Sequence, residues 1–360
     1  MNTKLKASND DPRALTRTLF NHPFNPSVNF AIEDPLLLSS HPAVQKEGLD
    51  YARYFCSNSP LSCKAPEFLQ KKLQVEELFS KKMGFEKSVI LPSIDAPLEL
   101  IRKSFLSSQI YFLPDSMQSI FSAENITYFS HENPRSLQTL LEVKKLDHCP
   151  IVYMPKLSAS YGRVDFALFA EIKNIHPFFF IIEDSHLFGL EGLDGFAPKS
   201  ESLTIDLLIT HIPKTFGKML TILSGPFNLL DRIVEFSFEN SKIFPSAPYL
   251  GMLKASLDLL SSMQDRRDQI RSYVKKLQCH LHPEMSIPYP LITITPHSLA
   301  QKTLSTKFLT DNGFLLPSSA FKSNDLSLTL HVNHLLEETS IHFLNELSTL
   351  SHKQTICESI

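Results

Sequence analysis

Between residues 88 and 209, short apolar runs alternate with amphipathic stretches, and few architectures accommodate this pattern. The apolar runs, each bounded by Pro, Ser or Asp, span residues 88–91, 110–113, 126–129, 150–154, 178–182 and 206–209. Helical spacing of apolar residues marks 97–105, 134–143 and 164–174. Buried strands that alternate with helices are typical of a parallel sheet with right-handed crossovers. The sequence therefore predicts an α/β fold.

The two ends of the chain differ from this middle part. The first thirty or so residues are rich in Pro, Asn and Asp and predict an irregular arm, followed by helices at 42–55 and 66–83, the second ending at Gly84. A long helix is predicted at 249–278. Beyond it, the pattern predicts a small α+β domain, with strands at 291–294, 314–316 and 326–332 and helices at 298–311 and 335–350. We therefore predict three parts: an arm with a helix (1–48), a large α/β domain (49–248) and a small C-terminal α+β domain (249–360).

Composition excludes several classes of function. With 35 basic and 38 acidic residues the net charge is −3, whereas a protein that covers a phosphate backbone needs a concentrated basic surface. No apolar run approaches the roughly 20 residues of a membrane helix, and the first residues lack the apolar core of a secretory signal. The five cysteines form no close metal-type pairs, and no metal site is expected. These features predict a cytoplasmic protein without nucleic-acid or membrane partners.

Three features that can carry chemistry follow one another in the α/β part. An apolar strand ends in Glu183, Asp184 and His186, and a loop at 189–195 contains three of the ten glycines. The segment DLLITHIPKTFG, at 206–217, then places Lys214 after a buried strand. Ligands of open α/β sheets bind at the carboxyl ends of strands, so these groups are well placed for a cofactor. Asp184 is interpreted as structural.

These segments resemble the α-oxoamine synthase family of pyridoxal 5′-phosphate (PLP) enzymes. IIEDSHLFGLEGLDG and DLLITHIPKTFG match the family's two central motifs in order, and Lys214 keeps the family's spacing of eight residues after Asp206. Looser similarity is found in LLLSSHPAVQKEGLDYARYF, VEELFSKKMGFEKSVILPS, SKIFPSAPYLG and LSLTLHVNHLLEE, so that residues 34–350 can be aligned with the family pattern. The resemblance implies the fold-type I architecture, with a mostly parallel seven-stranded sheet, and a homodimer with its active site at the subunit interface.

The resemblance also implies roles for individual residues. Lys214 would form the Schiff base with PLP and later move the Cα proton of the substrate, with Lys218 as the competing candidate. Glu183 matches the carboxylate that pairs with the pyridine nitrogen, and His186 the imidazole that contacts the phenolic oxygen. Phosphate contacts are implied for Ser93, His211 and Ser246, the last acting from the second subunit. Ser116 occupies the position of the histidine that stacks on the pyridine ring.

Several of these positions depart from the family pattern. Glu183 is one methylene longer than the family's aspartate, and His211 replaces a phosphate-binding Ser or Thr. Ser116 lacks the aromatic face of a stacking histidine. Ser327 stands where the family has the arginine that binds the carboxylate of the amino acid, and a hydroxyl cannot replace that bidentate charge pair.

The implied function is that of a C-acyltransferase of the 8-amino-7-oxononanoate synthase type, in biotin biosynthesis. Such an enzyme condenses an amino acid, here alanine, with an acyl thioester and releases carbon dioxide and a thiol. The departures at Ser116 and Ser327 favour an alternative, a catalytically degenerate or repurposed homologue that keeps the fold and the dimer. A further alternative is a fold-type I aminotransferase with another carboxylate anchor.

Overall fold

The computed structural model describes most of the chain up to residue 280 and short segments beyond it. The described residues are 28–29, 33–55, 65–92, 111–114, 126–143, 149–158, 162–192, 194–196, 204–216, 220–239, 244–280, 291–294, 303, 307, 311, 314–315 and 326–329. The predicted helices at 97–105 and 335–350 lie outside this part. Of the predicted helix at 298–311, the structure describes residues 303, 307 and 311, which are helical.

Strands and helices alternate through the first 240 residues. The strands are β1 (Val28–Asn29), β2 (Lys87–Leu91), β3 (Tyr111–Pro114), β4 (Ile126–Phe129), β5 (Ile151–Pro155), β6 (Leu157–Ser158), β7 (Gly162–Arg163), β8 (Phe179–Asp184), β9 (Leu207–His211), β10 (Thr221–Gly225), β11 (Leu291–Ile294), β12 (Phe314–Leu315) and β13 (Leu326–Thr329). The helices are α1 (Pro42–Phe55), α2 (Pro66–Met83), α3 (Ser136–Val143), α4 (Phe166–Ile175), α5 (Pro213–Phe216), α6 (Phe227–Glu239), α7 (Ala247–Leu260) and α8 (Gln264–His280). The predicted α/β class is confirmed.

A seven-stranded sheet in the order β2-β10-β9-β8-β5-β3-β4 forms the centre of the fold. The neighbours from β9 to β4 pair in parallel, whereas β10 is antiparallel to both β9 and β2. Six of the seven strands therefore run in one direction, as expected for a mostly parallel sheet. The sequence analysis did not predict β10 or α6. Because β10 is antiparallel to β9, it needs no long crossover connection and follows β9 after a short segment.

Both faces of the sheet are buried. Phe180 and Ile182 of β8 belong to a large apolar cluster that includes residues of α1, α2, α4 and α7. Ile181, between them, belongs to a second cluster that includes residues of α6. This alternation is the one expected of a strand that is covered on both sides. No helix in the described part of the chain is long and apolar enough to cross a membrane.

The long helix predicted at 249–278 is wrong, because the structure contains two helices, α7 and α8, separated by residues 261–263. The physical reason is visible at the break. The side chain of Arg267 is fully buried, and its Nη1 donates to the carbonyl oxygen of Leu260 at 2.8 Å. That carbonyl is at the last residue of α7, where a helix leaves its carbonyls without intrahelical partners. The same carbonyl oxygen also accepts from the amide of Met263 at 3.1 Å, so a backbone turn and the buried guanidinium together satisfy it where α7 ends.

The predicted three-part division places its boundaries inside helices. Residue 48 lies within α1 and residue 248 within α7, and these two helices pack closely against each other. A Cβ atom on Gly48 would approach Cγ of Met252 to 2.5 Å, and one on Gly251 would approach the carbonyl oxygen of Glu47 to 2.7 Å. The two glycines therefore allow α1 and α7 to approach, which joins the arm helix to the start of the predicted C-terminal part.

Beyond α8, the described residues form two small sheets. β11 pairs antiparallel with β13, and β12 pairs in parallel with β1. The predicted strand at 291–294 is confirmed with the same bounds, while the strands predicted at 314–316 and 326–332 are described over Phe314–Leu315 and Leu326–Thr329.

Candidate active site

Glu183 lies at the carboxyl end of β8, next to the ends of β5 and β9. In the sheet register Pro155 is opposite Glu183 on one side and Ile209 is opposite it on the other. Odd-numbered positions of β8 face the apolar cluster that includes residues of α6, because Ile181 belongs to it. Glu183 shares this face, and its side chain is 20% exposed. The carboxylate is thus placed at the edge of the sheet with partial access to solvent.

Three side chains surround the Glu183 carboxylate. The hydroxyl of Tyr153, from β5, donates to Oε2 at 2.5 Å, and the hydroxyl of Ser185 donates to Oε1 at 2.5 Å. Nε2 of His211, the last residue of β9, lies 3.7 Å from Oε1. Nδ1 of the same ring is 2.9 Å from the hydroxyl oxygen of Thr221, the first residue of β10. Four neighbouring strands therefore contribute to one polar cluster, which we call the Glu183 cluster (Tyr153, Glu183, Ser185, His211 and Thr221).

Lys214 is carried by α5, the single helical turn that follows β9. The amide of Phe216 donates to the carbonyl oxygen of Ile212 at 2.8 Å, and the amide of Ile212 donates to that of Leu220 at 3.0 Å. These bonds fix the backbone on both sides of Lys214, which is three residues beyond His211. The competing candidate, Lys218, lies outside the described residues.

Asp184 points to the opposite face of the sheet from Glu183 and is 1% exposed. Its Oδ1 accepts hydrogen bonds from the backbone amides of Leu187 and Phe188, both at 3.0 Å. These bonds close the turn after β8, and the turn contains the half-buried His186. Asp184 therefore has the structural role that the sequence predicts.

A buried ionic network continues from Asp184. Nζ of Lys156 lies 3.6 Å from Oδ2 of Asp184 and forms an ion pair with Glu191, which also pairs with Nη2 of Arg163 at 2.8 Å. Lys156 is 1% exposed and Glu191 is 8% exposed. Burial raises the pKa of the Glu191 carboxyl above its ordinary value, against the opposing influence of Lys156. We call these four residues the Lys156 network.

The other predicted site residues are placed as follows. Ser246 is the residue before α7 and its side chain makes no capping hydrogen bond. Ser327 lies in β13, opposite Thr293 of β11. Ser93 and Ser116 lie outside the described residues. Of the arginines, Arg163 pairs with Glu191, and the exposed Arg53 lies 3.7 Å from Asp50.

Tyr153 and Thr221 were not predicted from the sequence. Tyr153 lies on β5, which borders β8, and Thr221 lies on β10, which borders β9. Each lies on the same face of the sheet as its partner in the cluster, and the alternation of side chains along a strand indicates that face. The order of the strands in the sheet is also needed to identify these two residues, and the sequence alone does not give that order. In the described part of the chain, no group of three His, Cys, Asp or Glu residues could hold a metal ion.

No protein-family model and no curated protein matches the chain. Solved structures do match it. The serine palmitoyltransferase of Sphingomonas wittichii is 13% identical with a TM-score of 0.76, and the match covers 95% of this chain and 98% of that one. The 8-amino-7-oxononanoate synthase of Francisella tularensis is 16% identical with a TM-score of 0.72, covering 92% and 99%. A serine palmitoyltransferase structure that contains PLP is 12% identical with a TM-score of 0.76, covering 94% and 96%. The chain thus has the fold-type I architecture of these proteins, and the resemblance seen in the motifs is confirmed at the level of the fold.

Proposed function

We propose that this chain is a PLP-dependent C-acyltransferase of the α-oxoamine synthase type, which condenses alanine with an acyl thioester. One observation carries the proposal. The Glu183 carboxylate and the helix that bears Lys214 are at the carboxyl ends of adjacent parallel strands, β8 and β9. His211, three residues before Lys214, has its Nε2 3.7 Å from Glu183. A carboxylate and a lysine are residue types that a pyridine aldehyde cofactor uses, and the carboxyl ends of strands are where ligands of such sheets bind.

The Glu183 carboxylate is suited to accept a hydrogen bond from the protonated ring nitrogen of PLP. Each carboxylate oxygen of Glu183 accepts one hydroxyl hydrogen bond, from Tyr153 or Ser185. A carboxylate has about four lone-pair sites, so it can accept these two hydroxyls and a protonated ring nitrogen together. The 20% exposure of the Glu183 side chain leaves it accessible to a ligand from the sheet edge.

We assign the remaining roles to the chain's own residues. The Lys214 amine holds the cofactor covalently and then moves the proton at Cα of the substrate, while His186 orients the phenolic oxygen. Ser93 and Ser246 are assigned to the phosphate, and Ser116 to the ring face. For His211 the resemblance implies a phosphate contact, but its imidazole lies against Glu183 and Thr221, so we assign it to the ring-nitrogen end of the site instead. When bound, PLP acts as an electron sink for the substrate Cα.

The reaction that we propose releases two products besides the amino ketone, a thiol and carbon dioxide. A bond forms between Cα of alanine and the acyl carbon, and the thiol leaves with a proton. The bond between Cα and the substrate carboxylate then breaks with loss of carbon dioxide, and the electron pair left on Cα takes up a proton from solvent. The proposal includes a homodimer, a place in biotin biosynthesis and a cytoplasmic location. The fold neighbours support the reaction class, and the odd number of cysteines supports a reducing compartment.

The reaction is tested by measuring thiol release. The PLP-loaded protein is incubated with alanine and a series of acyl-coenzyme A thioesters, and free thiol is followed with a chromogenic reagent. We expect thiol release that depends on both substrates and is abolished in Lys214→Ala. Lys218→Ala is the matched control and should retain activity.

Two other results would contradict the proposed reaction. Tight binding of PLP without thiol release from any thioester or carrier-protein substrate would identify the degenerate homologue that the serines at 116 and 327 favour. Formation of a keto acid from alanine, without thiol release, would identify an aminotransferase.

A further inference from the structure

We infer that Tyr153 is a positioning residue for Glu183, and that its hydroxyl fixes the carboxylate for the ring nitrogen of a pyridine cofactor. The inference deepens the proposed function and rests on it. Tyr153 belongs to neither of the two motifs that carry the resemblance. Its role follows from the sheet register and from the contacts of the Glu183 carboxylate.

The register makes Tyr153 and Glu183 a diagonal pair. Tyr153 is directly opposite Ile181, and Glu183 is two residues further along β8, on the same face. Diagonal neighbours are about 7–8 Å apart, within reach only of aromatic and long side chains. Tyr153 and Glu183 together span this distance, and the hydroxyl donates to Oε2 at 2.5 Å.

The other carboxylate oxygen is held from a different direction. The Ser185 hydroxyl donates to Oε1 at 2.5 Å, and Nε2 of His211 lies 3.7 Å from the same oxygen. Because the two oxygens have neighbours on different elements, rotation of the carboxylate is restricted. Tyr153 therefore holds Oε2 from β5, while Ser185 and His211 approach Oε1.

The length of the side chain at position 183 gives this contact its importance. Glutamate has more rotamers than aspartate, so holding its carboxylate in one place costs more conformational entropy. A hydrogen bond formed before the ligand arrives reduces the part of this cost that falls on binding. Tyr153 thereby compensates for the extra methylene at position 183.

The chain permits a conservative test of this role. The Tyr153 ring is 4% exposed and belongs to the apolar cluster that includes Ile181, so Tyr153→Phe removes the hydroxyl and leaves the ring packed. PLP affinity is measured by absorbance titration for wild type, Tyr153→Phe, Glu183→Gln and the double variant. Tyr51→Phe, at a 7% exposed tyrosine in α1, is the matched control.

We expect Tyr153→Phe to bind PLP about 10-fold more weakly, the effect of losing a hydrogen bond to a charged group. In the Glu183→Gln background the same change should have little further effect, because the hydroxyl acts through the carboxylate. Tyr51→Phe should bind as wild type does. The carbocyclic analogue of PLP, in which C–H replaces the ring nitrogen, should bind wild type and Tyr153→Phe equally.

Three results would overturn the inference in distinguishable ways. Unchanged PLP affinity in Tyr153→Phe would remove the role of Tyr153 while leaving the proposed function in place. An equal loss in the presence and absence of Glu183, or an equal loss for the carbocyclic analogue, would show that the hydroxyl only supports the fold. Failure of the wild-type protein to bind PLP would overturn the proposed function together with the inference.

Discussion

Glu183 and Asp184 are neighbours in the sequence, yet their carboxylates lie in opposite environments. Glu183 is partly exposed, and it accepts hydrogen bonds from the hydroxyls of Tyr153 and Ser185. Asp184 is 1% exposed, accepts from two backbone amides and lies 3.6 Å from the buried Lys156. The period of two along β8 directs one carboxylate to each face of the sheet.

The two carboxylates at the end of β8 are therefore expected to have different roles, Glu183 in ligand binding and Asp184 in stability. The Glu183 cluster contains one partly exposed carboxylate that accepts from hydroxyl groups, whereas the Lys156 network joins two cations to two buried carboxylates beside the turn after β8. Substitutions in the network should therefore change the free energy of unfolding, and substitutions in the cluster should change the affinity for PLP.

The largest effect is expected at the centre of the Lys156 network. Lys156→Met leaves Asp184 and Glu191 buried with one cation fewer, and loss of one partner of a buried ion pair costs about 3–5 kcal/mol. The measurement is urea-induced unfolding. The control is Arg135→Met, which breaks the exposed pair with Glu171, whose side chains are 56% and 54% exposed, and should cost less than about 1 kcal/mol. Equal midpoints for the two variants would show that the network does not stabilise the fold.

The two neighbouring carboxylates can be compared directly by Asp184→Ala and Glu183→Ala. Asp184→Ala leaves two backbone amides and Lys156 without this acceptor, at a cost of about 2–4 kcal/mol. Glu183→Ala leaves two hydroxyls at a partly exposed site, at a cost of about 1 kcal/mol. Thermal unfolding of both apo proteins measures the difference. A reversed order would refute the division of roles between the two faces.

Gly195, in the loop after β8, and Gly162, in the β6–β7 hairpin that carries Arg163, differ in the space around them. Gly195 has φ +83°, and a Cβ there would meet Cγ of Leu260 at 2.6 Å and Nη1 of Arg267 at 2.8 Å. Gly162 has φ +71° with no atom within 4 Å of such a Cβ. We expect Gly195→Ala to cost about 2–3 kcal/mol and Gly162→Ala about 1 kcal/mol in unfolding experiments. Similar values would mean that the loop adjusts freely around Gly195.

The smallest effect concerns the pH dependence of stability. The pKa of Glu191 is raised in the folded protein, so the folded state binds more protons than the unfolded state above the ordinary value of 4.5. The favourable contribution is complete below that value and is lost as the pH rises through the folded pKa. We therefore expect Glu191→Gln to gain stability relative to wild type as the pH rises from about 4.5. Thermal unfolding of both proteins across this range checks the sign, and parallel curves would contradict it.

Much of the fold could be predicted because the local signals agree with the final packing. Strand β8, with apolar residues on both faces, and helix α2, which ends at Gly84 in the left-handed conformation, were predicted on this basis. The break between α7 and α8 was not predicted, and the buried contact at this break joins Arg267 to a carbonyl seven positions earlier in the chain. Strand β10 was missed because its place between β2 and β9 depends on long-range pairing.

The candidate site likewise contains residues that could be predicted from the sequence and residues that could not. Glu183, His186, His211 and Lys214 were predicted from contiguous motifs, and the structure places Glu183 and His211 together. Tyr153 and Lys156 come from β5 and the residue after it, thirty or so positions earlier in the chain. Their contacts with Glu183 and Asp184 exist only because β5 is the neighbour of β8, and that order follows from the assembly of the whole sheet.

The central claim is that this sheet edge holds PLP on Lys214, and covalent mapping tests it most directly. The protein is mixed with PLP, reduced with borohydride and digested, and the modified peptide is identified by mass spectrometry. We predict one modified lysine, Lys214, with a visible absorbance band before reduction that is absent in Lys214→Ala. Modification at Lys218 alone, or no specific modification, would contradict the claim.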